Sequence, residues 1–124
     1  MLTMYHNPRC SKSRQTLELL RDAGIEPAIV EYLLEPPDAD RIMRMAALLG
    51  VPVAELLRRG EDDFKSALDL PDLSDDPALA AWIARNPKTL ERPIVVDDEH
   101  GRAALGRPPE NVQALIAGRA ANHE

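Results

Sequence analysis

The sequence holds a single cysteine and only one Trp, two Tyr and one Phe among 124 residues. One cysteine excludes an internal disulfide framework and fits a reducing compartment. With so few aromatics, a core must come from aliphatic residues. The 44% hydrophobic content, mostly Ala and Leu, allows a sizeable one built from helix faces. No stretch approaches eighteen apolar residues, and the N-terminus carries no apolar run of signal-peptide length, so a soluble cytoplasmic protein with no membrane association is expected. An excess of positive charge is also lacking. The 21 Asp and Glu outnumber the 15 Lys and Arg, and a net charge of −6 argues against a nucleic-acid partner. His6, His100 and His123 are scattered and only one thiol exists, so no metal site is expected. Phosphate-loop and dinucleotide-binding glycine patterns are absent, and no tightly bound cofactor is expected. There are no repeats, low-complexity segments or linkers, which leaves one domain over residues 1–124.

What is present is an alternation of elements. Leu2–His6 reads as a strand, and Ser11–Ala23 as a helix stopped by Gly24. Pro27–Leu33 reads as a second strand. Asp38 is a plausible N-cap for a helix over Ala39–Leu49 that ends at Gly50. Val53–Arg59 reads as a short helix, Glu61–Leu70 as charged and weakly periodic, and Pro71–Pro77 as an acidic loop. Pro77–Asn86 is helical with Leu79, Trp82 and Ile83 on one side. Ile94–Asp97 and Arg102–Leu105 form a hairpin around Asp98-Glu99-His100-Gly101, and Pro108–Ile116 closes the chain with Val112, Leu115 and Ile116 inward. The order β-α-β, helices, β-β-α predicts an α/β fold. A parallel first unit and an antiparallel hairpin share a thioredoxin-like mixed sheet, with an all-helical insertion at roughly residues 38–90. That plan puts thiol chemistry at the turn after the first strand and a proline before the hairpin, where Pro93 stands. Both a cis Arg92–Pro93 bond and an ordinary trans proline at a strand start are open.

Cys10 lies in that first turn, within His6-Asn7-Pro8-Arg9-Cys10-Ser11-Lys12-Ser13-Arg14. A thiol there faces the free N–H groups and the positive dipole end of the following helix. Such surroundings lower a cysteine pKa from ~8.5 to roughly 3.5–7.5. An anion arriving beside the thiolate shares the same donors. A buried structural cysteine is the alternative, and the polar and cationic flanks favour the reactive one. Cys10-Ser11-Lys12-Ser13 is C-x-x-S, so a hydroxyl stands where a resolving thiol would, and any disulfide at Cys10 is intermolecular. A tyrosine-phosphatase loop needs an arginine six residues after its cysteine, where this chain has Thr16. Arg14 reads either as an anion contact or as a solvated helix arginine. His6 reads either as a partner of the thiolate or as a strand-end histidine with a backbone bond.

The same residues, followed by Thr16-Leu17, resemble the start of the glutaredoxin-coupled arsenate reductases, the ArsC family. Leu56-Leu57-Arg58-Arg59, Asn86-Pro87-Lys88, Glu91-Arg92-Pro93-Ile94-Val95-Val96 and Leu105-Gly106-Arg107-Pro108 match that family in order and approximate spacing, so the resemblance covers nearly the whole chain. It implies a thioredoxin-like fold with a helical insertion, Cys10 as catalytic cysteine, and a cis-proline at Pro93. It also implies anion-binding arginines at Arg58, Arg92 and Arg107, with Asn7, Ser13 and Arg14 in support. Taken singly, Arg58 or Arg59 would suit a helix end, and Arg92 and Arg107 would be loop residues beside prolines. An oxyanion, however, needs several donors, and the rigid guanidinium fork suits it. Arg58 matches the family position; its neighbour Arg59 is the competing candidate.

The reaction implied by the resemblance is reduction of arsenate to arsenite through a covalent Cys10 thiol–arsenate adduct. Glutathione is the co-substrate and glutaredoxin the protein partner, and a monomer is expected. The chain departs from the best-known members at Ser11-Lys12, where they carry Gly-Thr. Lys12 adds a cation at a helix start, which the dipole disfavours unless an anion is bound. Two other functions remain open. Spx-like regulators share the fold, but commonly carry a C-x-x-C switch that Ser13 precludes. Another single-cysteine thiol-redox enzyme, acting in deglutathionylation, typically carries Gly-Phe-Ser after its cysteine and would not need three distant arginines.

Overall fold

The computed structural model describes residues 1–122, so His123 lies outside them. The chain partitions into two compact units: residues 1–31 together with those from Arg92 onward, and Tyr32–Glu91.

The first unit is a four-stranded sheet with helices. Its strands are β1 (Thr3–His6), β2 (Ala28–Glu31), β3 (Ile94–Asp97) and β4 (Arg102–Leu105), in the order β2-β1-β3-β4. β1 runs parallel to β2 and antiparallel to β3, and β3 and β4 form the antiparallel hairpin. The parallel pair is joined by helix α1 (Ser11–Asp22). The register aligns Met4 with Val95, and Val95 with Ala104. These three belong to one core cluster with Leu2, Leu20, Ile25, Val112 and Leu115. β3 is buried along its whole length, as a β-branched run in a central strand requires. The last helix, α5, spans Gln113–Asn122 after a 3₁₀ turn at Pro109–Val112, so it begins later and runs further than the apolar pattern predicts. The mixed sheet with its β-α-β and β-β-α halves is the thioredoxin-like plan expected from the element order. Among the described residues, no helix is long and apolar enough to cross a membrane.

The hairpin is tied by a buried carboxylate. Asp97, 1% exposed, accepts from His100 Nδ1 at 2.9 Å and Arg102 Nη2 at 3.1 Å. Burial alone would raise its pKa, but the bonds from His100 and Arg102 outweigh it and hold the carboxyl below its ordinary value. The stabilisation is therefore present above the ordinary carboxylate range and lost as pH falls through the depressed folded value. Asp97→Asn should cost about 1–2 kcal/mol near neutrality, at the low end because Arg102 is partly exposed. Denaturant midpoints of the two proteins should converge in acid.

The second unit is helical: α2 (Ala39–Leu49), α3 (Asp62–Lys65) and α4 (Asp76–Arg85), with 3₁₀ turns at Val53–Leu56 and Pro87–Thr89. Asp38 caps α2 by accepting from Arg41 N at 2.8 Å, and Gly50 ends it in the left-handed region at φ 71°. Asp75 caps α4, which starts one residue ahead of Pro77. α2 packs on α4, and Ile42, Met45, Leu79, Trp82 and Ile83 are buried in this unit. The Trp82 indole donates to Asp69 at 2.9 Å, satisfying a buried donor. Two expectations differ here. The second strand ends at Glu31, because Tyr32–Leu34 forms a turn. The helix expected over Val53–Arg59 stops at Leu56, because Leu57 turns extended and bridges Leu90.

Candidate active site

Cys10 is the N-cap of α1 and is half-buried. The turn before it is closed by its own bonds. Cys10 N donates to Asn7 O at 3.0 Å, Arg9 N to Asn7 Oδ1 at 3.0 Å, and Arg14 Nη1 to Pro8 O at 3.0 Å. Arg14 thus braces the turn rather than standing free on the helix. Lys12 and Arg9 are exposed. The first turn of α1 has no acidic residue, and the Cys10 side chain makes no full capping bond. The helix end is left electropositive, as the sequence pattern implies.

Partial burial on its own would raise the Cys10 thiol. The backbone N–H of Ser13, the Arg92 guanidinium and the backbone N–H of Lys12 favour the thiolate more, and the thiol lies below its ordinary value. Arg107 Nη1 stands 3.9 Å from Cys10 Sγ and donates to Arg92 O at 3.4 Å. At that range Arg107 is at the outer limit of a sulfur hydrogen bond, so Arg92 is the stronger influence on the thiol. Pro93 follows Arg92 through a cis peptide bond, and Arg107–Pro108 is also cis, which the sequence did not suggest.

His6 is buried at the end of β1, and its Nδ1 lies 2.6 Å from Ser13 Oγ, which also accepts from Asn7 N at 3.1 Å. Desolvation is the main reason that His6 titrates below its ordinary value, with Arg21 and Arg14 adding to it against Glu31. His6 thus bonds the Ser13 hydroxyl rather than the thiol, while the Ser13 backbone N–H favours the thiolate. Ser13→Ala should leave that N–H in place while stranding buried polar atoms of His6 and Asn7. Stability should fall by about 1–3 kcal/mol, while the pH midpoint of Cys10 alkylation moves little.

The sheet unit thus brings Cys10, Arg92, Arg107, Pro93, His6, Asn7, Ser13 and Arg14 into one neighbourhood. Arg58 belongs to the helical unit. Its Nε lies 3.3 Å from Glu61 Oε1 and its Nη1 3.4 Å from Glu91 Oε1, and its backbone N donates to Thr89 O at 2.7 Å. Arg58 is half-buried whereas Arg59 is exposed. Neither glutamate was legible as its partner. Asp97, Glu99 and His100 place potential ligand atoms within 4.8 Å of one another. Arg102 already occupies the buried Asp97 carboxylate and opposes a second cation there.

The chain matches the model of the ArsC family over residues 5–115. It is 44% identical over 117 residues to an arsenate reductase of Neisseria meningitidis serogroup A, covering 93% of this chain and 97% of that one. It is 46% identical over 114 residues to the uncharacterized protein YfgD of Escherichia coli (strain K12), covering 91% and 94%. Among solved structures, an arsenate reductase from Vibrio cholerae superposes with a TM-score of 0.79 at 41% identity, covering 91% of this chain and 95% of that one. With a family match spanning nearly its whole length, the chain belongs to the ArsC family.

Proposed function

We propose that this protein reduces arsenate to arsenite, with Cys10 as the nucleophile and glutathione and glutaredoxin as its thiol partners. The observation that carries the reading is an unpaired cysteine at a helix N-terminus with Arg92 and Arg107 directed to it, in a chain of the ArsC family. The Cys10 thiolate attacks arsenic(V), and one oxygen leaves as water after protonation, giving a thiol–arsenate adduct. Arg92 and Arg107 neutralise the oxygens as charge redistributes. In the family pattern Arg58 is the third such arginine; in this chain it pairs with Glu61 and Glu91. Reduction from arsenic(V) to arsenic(III) takes two electrons, and with one cysteine in the chain only one thiol is internal. Glutathione supplies the second. Arsenite leaves and Cys10 is left in a mixed disulfide with glutathione, which a glutaredoxin thiol reduces.

The test is a coupled assay with glutathione, glutaredoxin, glutathione reductase and NADPH. NADPH oxidation that depends on arsenate supports the reading. Absence of arsenate-dependent turnover at every glutathione concentration overturns the substrate assignment.

A further inference from the structure

The described glycines divide sharply by what a side chain would meet. At Gly24, Gly50, Gly60 and Gly101 an added Cβ finds nothing within 4 Å. At Gly106 it would collide with Thr16 Oγ1, with Pro93 Cγ at 2.7 Å and with Thr16 Cγ2 at 3.1 Å. Gly106 does not have positive φ, so space rather than backbone conformation demands glycine here.

Neither neighbour can yield easily. Thr16 is fully buried, and its Oγ1 donates to Lys12 O at 2.8 Å, so a rotation that cleared a methyl group would break that bond. Pro93 is a closed ring in a buried position, and Gly106 N donates to Pro93 O at 2.9 Å. A side chain at 106 must therefore move its own segment. The next residue is Arg107, whose Nη1 donates to Arg92 O at 3.4 Å and stands 3.9 Å from Cys10 Sγ. A displacement of a few tenths of an ångström takes it out of range of the sulfur.

We propose that Gly106 and Thr16 are positioning residues for Arg107: the close seat of Gly106 on Thr16 and Pro93 sets where the Arg107 guanidinium stands relative to Cys10. The proposal deepens the functional reading above by explaining what aims one of its anion-binding arginines, but its geometry does not require arsenate to be the substrate.

The test compares alkylation of Cys10 by anionic iodoacetate and neutral iodoacetamide, a ratio that reports the nearby positive charge without any substrate. Arg107→Ala should lower the ratio by about fivefold, the effect of one unit charge near 4 Å in water. Gly106→Ala should lower it most of the way to that value, with thermal unfolding checked alongside. Thr16→Ala added to Gly106→Ala removes the two Thr16 atoms and leaves only the contact with Pro93 Cγ, so it should restore part of the ratio. Thr16→Val keeps the bulk and should not. An unchanged ratio in Gly106→Ala overturns the proposal, as does an equal loss in the Thr16→Ala double variant. If the ratio responds while the wild-type protein shows no arsenate-dependent turnover, the positioning role stands and the arsenate assignment falls. With turnover present, Gly106→Ala should lower kcat/KM for arsenate by about 10–100-fold, and adding Thr16→Ala should recover part of the loss.

Discussion

Cys10→Ser should eliminate arsenate-dependent turnover, by on the order of 10⁴-fold or more, while leaving the fold at least as stable as the wild type. The two halves of this expectation come from different physics. A serine hydroxyl is not ionised near neutrality, and the N–H groups of Ser13 and Lys12 together with Arg92, sufficient to depress a thiol, cannot bring it into range. Serine is also a strong N-cap, and Cys10 occupies the N-cap of α1 without a full capping bond. The substitution should therefore add about 0.5–1 kcal/mol to helix stability. Loss of activity with unchanged or raised denaturant midpoint identifies Cys10 as the reacting group. Loss of both together would make it structural.

Arg92→Ala and Arg107→Ala should each reduce kcat/KM for arsenate by about 10²–10³-fold, with stability changed by no more than about 1 kcal/mol. The two should separate in a second measurement. Arg92 is the guanidinium that favours the thiolate, so its removal should raise the pH midpoint of Cys10 alkylation. Arg107 stands at 3.9 Å, so its removal should shift that midpoint less while still weakening oxyanion use. Lysine should rescue neither fully, because a point charge lacks the planar fork that grips two oxygens. Equal losses of activity and stability would mean that the arginines hold the loops rather than the anion.

What the sequence made legible was local. The turn from Tyr5 to Ser11, the Asp38 cap, the Gly50 stop and the hairpin around His100 and Gly101 each rest on residues a few positions apart, and all stand where the pattern put them. The contacts that escaped reading are long-range. Leu57 leaves its helix to bridge Leu90, and Arg58 finds Glu91, each 33 positions along the chain. The crowding of Gly106 comes from Thr16, which no periodicity connects to it. The arginines could be named only by resemblance, because nothing in a loop arginine beside a proline signals the thiol it approaches. Ser13 was visible as the residue replacing a resolving thiol, but its bond to His6 was not, since two polar side chains at a strand end and in a first helical turn have many possible partners.

The central claim, that Cys10 bonds to arsenic and then to glutathione, is tested most directly by intact-mass analysis. Reduced protein is mixed with glutathione and arsenate, without glutaredoxin, and quenched in acid. The account predicts one glutathione per chain in disulfide linkage at Cys10, forming only when arsenate is present and absent from Cys10→Ser. An adduct that forms equally without arsenate, or no adduct at any arsenate concentration, would contradict it.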